Sequence, residues 1–230
     1  PSSFVLAELG PGRGTLMADI LRATKIVPGF LDAASVYLVE ASRTLGGIQA
    51  ETLKDWSVHW IDDVTDLPDA PLWLVANEFF DALPVRQFER GDESWRERMV
   101  HVDEHGSLGF SLAQETKYED LRNRLEDTNQ GDIIETCPSA AGIIRLIGDR
   151  IETLGGAALI FDYGDWHSLG DTFQALRKHH SIHPFESPGQ ADLTAHVDFE
   201  ALALAAPCSF SRVTPQGIFL ERLGIVQRAQ

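Results

Sequence analysis

Residues Phe4 to Thr15, FVLAELGPGRGT, join a short apolar run to three glycines at alternate positions and then to a helical pattern. A run such as Val5, Leu6, Ala7 and Leu9, broken only by Glu8 near its end, is what a parallel strand needs when helices cover both faces of its sheet. Gly10, Gly12 and Gly14 at its carboxyl end let the backbone take positive φ and approach a ligand closely. The helix that follows points its amino end at the same place. The stretch therefore demands an α/β layering and predicts the floor of a nucleotide pocket.

The spacing of the glycines narrows the nucleotide. The dinucleotide fingerprint is GxGxxG, and its third glycine would fall where this chain has Thr15. A P-loop needs Lys and then Ser or Thr after its last glycine, whereas Gly14 is followed by Thr15 and Leu16. An acidic residue at the strand end followed by GxGxG remains, the pattern of S-adenosylmethionine pockets. That cofactor is cationic at sulfur and carries an amino group, so a carboxylate such as Glu8 attracts it where a phosphate would be repelled. Glu8, Gly10, Pro11, Gly12 and Gly14 are the first cofactor-binding candidates.

Composition sets outer bounds. A chain of 230 residues with 43% apolar content suits one α/β domain with a full core. A formal net charge of -16 disfavours nucleic acid, whose phosphates call for clustered Lys and Arg, and makes a basic partner more natural. Two cysteines, Cys137 and Cys208, are too few for a disulfide framework, which points to a reducing compartment and to two buried thiols. No apolar run approaches a membrane span and no signal-like segment opens the sequence. Pro1-Ser2-Ser3 stands directly before a central strand, so amino-terminal elements of the domain are expected to be missing from this sequence.

Further along, the periodicity predicts a helix over Thr15 to Lys25 and a second strand over Ser35 to Glu40. Glu40, at that strand's end, stands where parallel folds place a carboxylate for the two ribose hydroxyls. A helix over Ala41 to Lys54 and a third strand, Val58 to Ile61, lead to Asp62 and Asp63, one of which is expected to meet the adenine amino group. A fourth strand, Pro71 to Ala76, runs into NEFFDALP, Asn77 to Pro84. Two carboxylates, an amide and two aromatics crowd a strand end that should lie beside the first strand, where open α/β sheets bind ligands. Asn77 joins the cofactor side. Glu78 and Asp81 are the catalytic candidates: if a helix starts at Phe79 they share a face, and paired carboxylates can hold a guanidinium fork or accept a proton.

From Val85 to Leu112 the pattern alternates with period two, broken at Gly91-Asp92 and His105-Gly106, and predicts an inserted β ribbon with a charged surface that is solvated or partner-facing. Lys117 to Asp127 is polar and helical or mobile. A helix over Ser139 to Leu154 and a fifth buried strand over Ala157 to Phe161 follow, the latter ending in Asp162-Tyr163-Gly164. Trp166 to Ala191 reads as a loop-rich segment. Its histidines, His179, His180 and His183, fit no zinc spacing, so no metal is expected. Asp198 is an expected amino-cap for a helix over Phe199 to Ala206, Phe210 to Val213 an edge strand, and Pro215 a helix start.

Taken in order, ELGPGRGT, NEFFDALP, FDYG, GDTFQALRKHH, DLTAHVDF and QGIFLERLGI resemble one family over essentially the whole chain. It is the MidA family, which includes mitochondrial complex I assembly factor 7 and its bacterial relatives. The resemblance implies a class I, seven-stranded, Rossmann-like methyltransferase dependent on S-adenosyl-L-methionine, with an open, mostly parallel sheet. It implies one domain over residues 1–230 carrying the inserted ribbon and helix at 85–130. Its mitochondrial members are similar to enzymes that make symmetric dimethylarginine on a complex I subunit, so an arginine-bearing protein substrate is implied, in a bacterial cytoplasm or a mitochondrial matrix. Gly10, Gly12 and Gly14 would then form the methionine-side turn, Glu40 the ribose ligand, and Glu78 would lie near the accepting nitrogen. Family members carry an amino-terminal glycine-aspartate-phenylalanine stretch that this sequence lacks. A small-molecule methyltransferase and a non-catalytic assembly factor are the rival readings.

Overall fold

The computed structural model describes residues 2–228. In chain order the strands are β1 (Phe4–Leu9), β2 (Ala34–Val39), β3 (Val58–Ile61), β4 (Leu72–Asn77), β5 (Arg86–Arg90), β6 (Trp95–Val102), β7 (Leu108–Leu112) and β8 (Ile133–Thr136). They continue as β9 (Gly156–Phe161), β10 (Gly164–Asp165), β11 (Gln174–Arg177), β12 (His180–Ile182), β13 (Asp192–Thr194) and β14 (Val197–Asp198). The helices are α1 (Thr15–Thr24), α2 (Phe30–Ala33), α3 (Arg43–Thr52), α4 (Pro138–Leu154), α5 (Phe199–Ala205), α6 (Gln216–Arg222) and α7 (Ile225–Arg228). Contacts gather into two compact units. Unit 1 takes the residues up to 79, then 142–162 and those from 202 onward, and unit 2 takes 80–141 and 163–201.

Unit 1 is built on a five-stranded sheet in the order β3-β2-β1-β4-β9, with every neighbouring pair parallel. This is the expected open, parallel α/β sheet, with five strands among the described residues where the resemblance implied seven. All five expected strands form within a residue or two of their expected bounds. Leu6 on β1, Val36 and Leu38 on β2, Met17 and Leu21 on α1, and Leu53 just after α3 make one buried cluster. On α1 the buried stripe runs through Met17 and Leu21, with Asp19 and Arg22 paired at 2.8 Å on the exposed face, which is the amphipathic division that lets a helix lie on a sheet.

Unit 2 holds the ribbon, which forms as expected and gains a fourth strand: the sheet order is β7-β6-β5-β8, all antiparallel. Its core is Phe88, Trp95, Leu121 and Ile134, with Tyr118 and Leu125 packed against it. Several ribbon charges pair within the unit: the guanidinium of Arg86 grips both oxygens of Glu97 at 2.7 and 2.9 Å, and Arg98 meets Asp171 at 2.5 Å. Lys117 to Asp127 carries two single 3₁₀ turns, Glu119–Leu121 and Asn123–Leu125. The loop-rich 166–191 stretch contains the β11–β12 hairpin, in which Lys178 and His179 both have positive φ.

Two expectations fail. Phe210 to Val213 is irregular, with Phe210 59% and Val213 44% exposed, because an apolar segment becomes a strand only where a neighbour supplies a hydrogen-bond ladder. Cys137 and Cys208 are only partly buried, and the Cys137 thiol lies 3.3 Å from the Ser139 hydroxyl. Asp198 does cap α5, accepting from the Ala201 N–H at 2.8 Å.

Candidate cofactor site at the carboxyl edge of the parallel sheet

The register of unit 1 brings its strand ends into one row. Leu9 pairs with Val39 on one side and Ala76 on the other, Val39 pairs with Ile61, and Asn77 pairs with Phe161. The next residues along that row are therefore Asp62, Glu40, Gly10, Asn77 and Phe161, with Glu78 and Asp162 one residue further on. Strand order reverses direction between β1 and β4, the switch point where open sheets of this kind leave a crevice. Glu8, Gly10, Pro11, Gly12, Gly14, Glu40, Asp62, Asp63, Asn77 and Glu78 all belong to this edge or to the turn above it.

The turn after β1 has the geometry its glycines suggested. Gly10, Gly12 and Gly14 stand at φ 57°, 54° and 77°, and the Gly14 N–H closes the turn on the Pro11 carbonyl at 2.7 Å. The three positions differ in what their missing side chains leave. A Cβ on Gly10 would lie 2.8 Å from the Phe79 ring, while one on Gly12 would meet nothing within 4 Å. Gly12 thus borders open space beside exposed main chain, a cradle a side chain would fill. Below it Glu8 is 3% exposed, its Oε2 lacks a partner, and burial raises its pKa from 4.5 to about 7 against one lowering hydrogen bond from the Met17 backbone N–H. A buried, under-served acid four residues before a glycine that borders open space fits a ligand that is positively charged.

Glu40 is held rather than free. Its Oε1 accepts from the Ser42 N–H at 2.8 Å and its Oε2 from the Gln49 amide at 2.9 Å. The same Gln49 nitrogen donates to the Gly12 carbonyl at 2.9 Å, and the Gln49 oxygen accepts from the Trp60 indole at 3.0 Å. Gln49 is 0% exposed. It joins the turn at Gly12, Glu40 and β3 in one network. A carboxylate has about four acceptor positions, so Glu40 keeps capacity for a diol. Sequence reading missed Gln49, whose partners lie 37, 9 and 11 residues away. Of the two aspartates after β3, Asp63 is committed: it caps the 3₁₀ turn Val64–Asp66 through the Thr65 N–H and hydroxyl, both at 2.8 Å, and those bonds hold its pKa below the usual value. Asp62 is exposed beside it.

No helix starts at Phe79, so Glu78 and Asp81 do not share a helical face. Glu78 bends the chain at φ 50°, a left-handed conformation that costs a residue with a Cβ about 1 kcal/mol or more. Its N–H continues the ladder to the Phe161 carbonyl at 2.8 Å, and the Phe79 N–H then donates to the Asp162 carboxylate at 3.2 Å. The bend drives the Phe79 ring over Gly10. Asp162 is a second residue the sequence reading left out of the site. Asp81 falls in unit 2, where it is 7% exposed and its carbonyl accepts from the Ala195 N–H at 2.9 Å.

Comparison with known proteins identifies the family independently of this geometry. Residues 1–216 match the family described as "Putative S-adenosyl-L-methionine-dependent methyltransferase". Protein arginine methyltransferase NDUFAF7, mitochondrial, from Xenopus laevis is 35% identical over 98% of this chain and 58% of its own length. The protein of that name from Mus musculus is 38% identical over 97% and 57%. A crystal structure from Burkholderia thailandensis with S-adenosyl-homocysteine bound superposes with TM-score 0.72 at 28% identity, over 88% of this chain and 55% of that one. The chain spans a little over half the length of these relatives. With a family match over nearly all its residues and relatives above 30% identity along its length, the chain belongs to the S-adenosyl-L-methionine-dependent methyltransferase family.

Proposed function

We propose that the carboxyl edge of the unit 1 sheet binds S-adenosylmethionine and that the protein transfers its methyl group to an arginine of a protein substrate. One observation carries the cofactor half: an open cradle at Gly12, flanked by the buried acid Glu8 and by Glu40 held through Gln49. The turn main chain and Glu8 suit the cationic methionine end, Glu40 the ribose diol, and Asp62 the adenine amino group, with Asn77 and Asp63 bordering the pocket. S-adenosylmethionine, when bound, supplies an electrophilic methyl on a sulfonium, whose carbon–sulfur bond breaks as a carbon–nitrogen bond forms.

The remaining work falls to side chains. Displacement at the methyl carbon needs the acceptor held in line at near-attack distance. Arginine is a poor nucleophile because its guanidinium stays protonated. Glu78, exposed at the end of β4 and fixed by its bent backbone, grips two guanidinium nitrogens and draws positive charge toward them. The third nitrogen is then freer to attack, and it sheds its proton to solvent after transfer. Asp81 is proposed as the second acidic group of the acceptor side. A chain with 35 acidic against 19 basic residues suits an arginine-bearing partner.

The relatives named protein arginine methyltransferase support this acceptor class. The resemblance drawn above supports symmetric dimethylation during complex I assembly, in a bacterial cytoplasm or a mitochondrial matrix, and the relatives' mitochondrial designation favours the latter. No helix among the described residues is long and apolar enough to cross a membrane.

Incubation of the full-length protein with labelled methyl donor and a cell lysate should place label on arginine of a polypeptide. Glu78→Gln should lower that transfer at least 100-fold while leaving heat-shift stabilisation by S-adenosylhomocysteine intact. Label confined to small molecules would replace the protein acceptor. Undiminished transfer by the variant would remove Glu78 from its role.

A further inference from the structure

We infer that unit 2 carries a binding site for a small organic anion, in a cavity of ≈ 450 Å³ between the β5–β6 turn and the 117–125 stretch. The volume lies in the range of small-molecule pockets. Its floor is aromatic and apolar, formed by Trp95, Tyr118 and Leu125, and three cations stand around it: Arg90, Lys117 and Arg122.

Three features point to an anion. First, none of these cations has a carboxylate within 4.0 Å among the described residues, although Glu93 and Glu119 line the same cavity. In a chain with 35 acids to 19 bases, three cations left without ion pairs around one hollow make a local reversal of charge. Second, two residues that line the cavity each keep a buried donor with no acceptor in the protein: the Arg90 Nε–H and the Trp95 indole N–H. Trp95 is 1% exposed, and a buried donor left unsatisfied costs about 1–3 kcal/mol, so such groups call for an acceptor. Third, the Arg90 head is braced: its Nη1 donates to the Gly91 carbonyl at 2.7 Å and also to that of Asp92, and the guanidinium lies 5.8 Å from the centre of the Trp95 ring. A braced guanidinium loses little freedom when it takes an oxyanion. The ligand chemistry is a phosphate or carboxylate head attached to a flat apolar body. The site is independent of the methyl-transfer reading and stands or falls without it.

The test titrates the full chain with phenyl phosphate and, separately, with benzoate, which share a body and differ in head group. The Trp95 indole N–H and Arg90 Nε–H resonances are followed by NMR. A saturable shift of both resonances is expected with at least one probe, and the probe that produces it identifies the head group. Lys117→Gln/Arg122→Gln should weaken binding at least tenfold, while Arg22→Gln/Lys54→Gln, which removes the same charge from exposed positions of unit 1, should not. Absence of a saturable shift with both probes overturns the site. An unchanged affinity in the Lys117/Arg122 variant overturns it equally.

Discussion

Glu8 in unit 1 and Glu135 in unit 2 are nearly equally buried, 3% and 5% exposed, but their surroundings treat them differently. Glu135 receives the Gln87 amide at 2.7 Å, the Thr172 and Phe173 N–H groups at 3.1 Å each, and the Thr172 hydroxyl. It staples β8 to the 171–173 loop, and its neighbour Asp171 is in turn held by Gln87 and Arg98. Glu8 takes one backbone N–H from Met17 and keeps an oxygen without a partner. A fully served carboxylate is part of the scaffold. An under-served one at the end of a central strand stores an electrostatic demand that a cationic ligand can meet.

The sharpest way to break this contrast is to remove both acids. Glu135→Leu strands four donors in the interior and should cost about 4 kcal/mol of unfolding free energy, read by urea titration. Glu8→Gln strands none and should cost far less. Equal losses would erase the distinction.

The next effect lies in pH. Glu8's folded pKa, about 7, lies above its ordinary 4.5, so the folded protein binds that proton more tightly than the unfolded chain. The resulting stabilisation is fully present below about pH 4.5 and is lost as pH rises through about 7, a span of about 3 kcal/mol. Subtracting the Glu8→Gln curve from that of the unmodified protein should isolate the fall; a flat difference would mean the acid is better served than the geometry shows.

A third comparison concerns Gln49. Gln49→Leu unhooks Glu40 and the Gly12 carbonyl together, and should weaken S-adenosylhomocysteine about tenfold, or about 1.4 kcal/mol by calorimetry. Unchanged affinity would show that Ser42 alone orients Glu40.

The smallest effect belongs to His167 in unit 2, which bridges Asp127 at 2.5 Å and Glu200 at 2.7 Å. The hydrogen bond to Asp127, and then that to Glu200, hold its pKa above the usual 6.5 against a lowering by burial and by Arg124. Its stabilisation is fully present below 6.5 and fades as pH rises through the raised value. His167→Gln should remove that slope, and because the site is part-exposed the change should stay below about 1 kcal/mol.

What the sequence made legible follows from the range of the interactions. The Gly10-Pro11-Gly12 turn, the five parallel strands and the Asp198 cap each express a pattern within a few neighbours. Gln49 does not: inside RTLGGIQAET nothing marks it as more than a helix surface residue, and its meaning comes from Gly12 and Trp60, far along the chain. Glu135 likewise reads as an ordinary strand residue until Thr172, 37 positions later, closes over it. The left-handed bend at Glu78 was hidden for another reason, since glutamate has no preference for that conformation and the hydrogen bonds around it run to Phe161 and Asp162, far along the chain. The missing helix after Phe79 follows from the same bend.

Trp60 offers a practical return on the Gln49 network. It is 39% exposed, and its ring nitrogen is tied through one amide to the turn that would receive a nucleoside. A side chain so placed gives the molecule a built-in optical gauge: arrival at Gly12 should alter the emission of Trp60, and Trp60→Phe should silence the signal. Occupancy could then be followed in real time without label or dye.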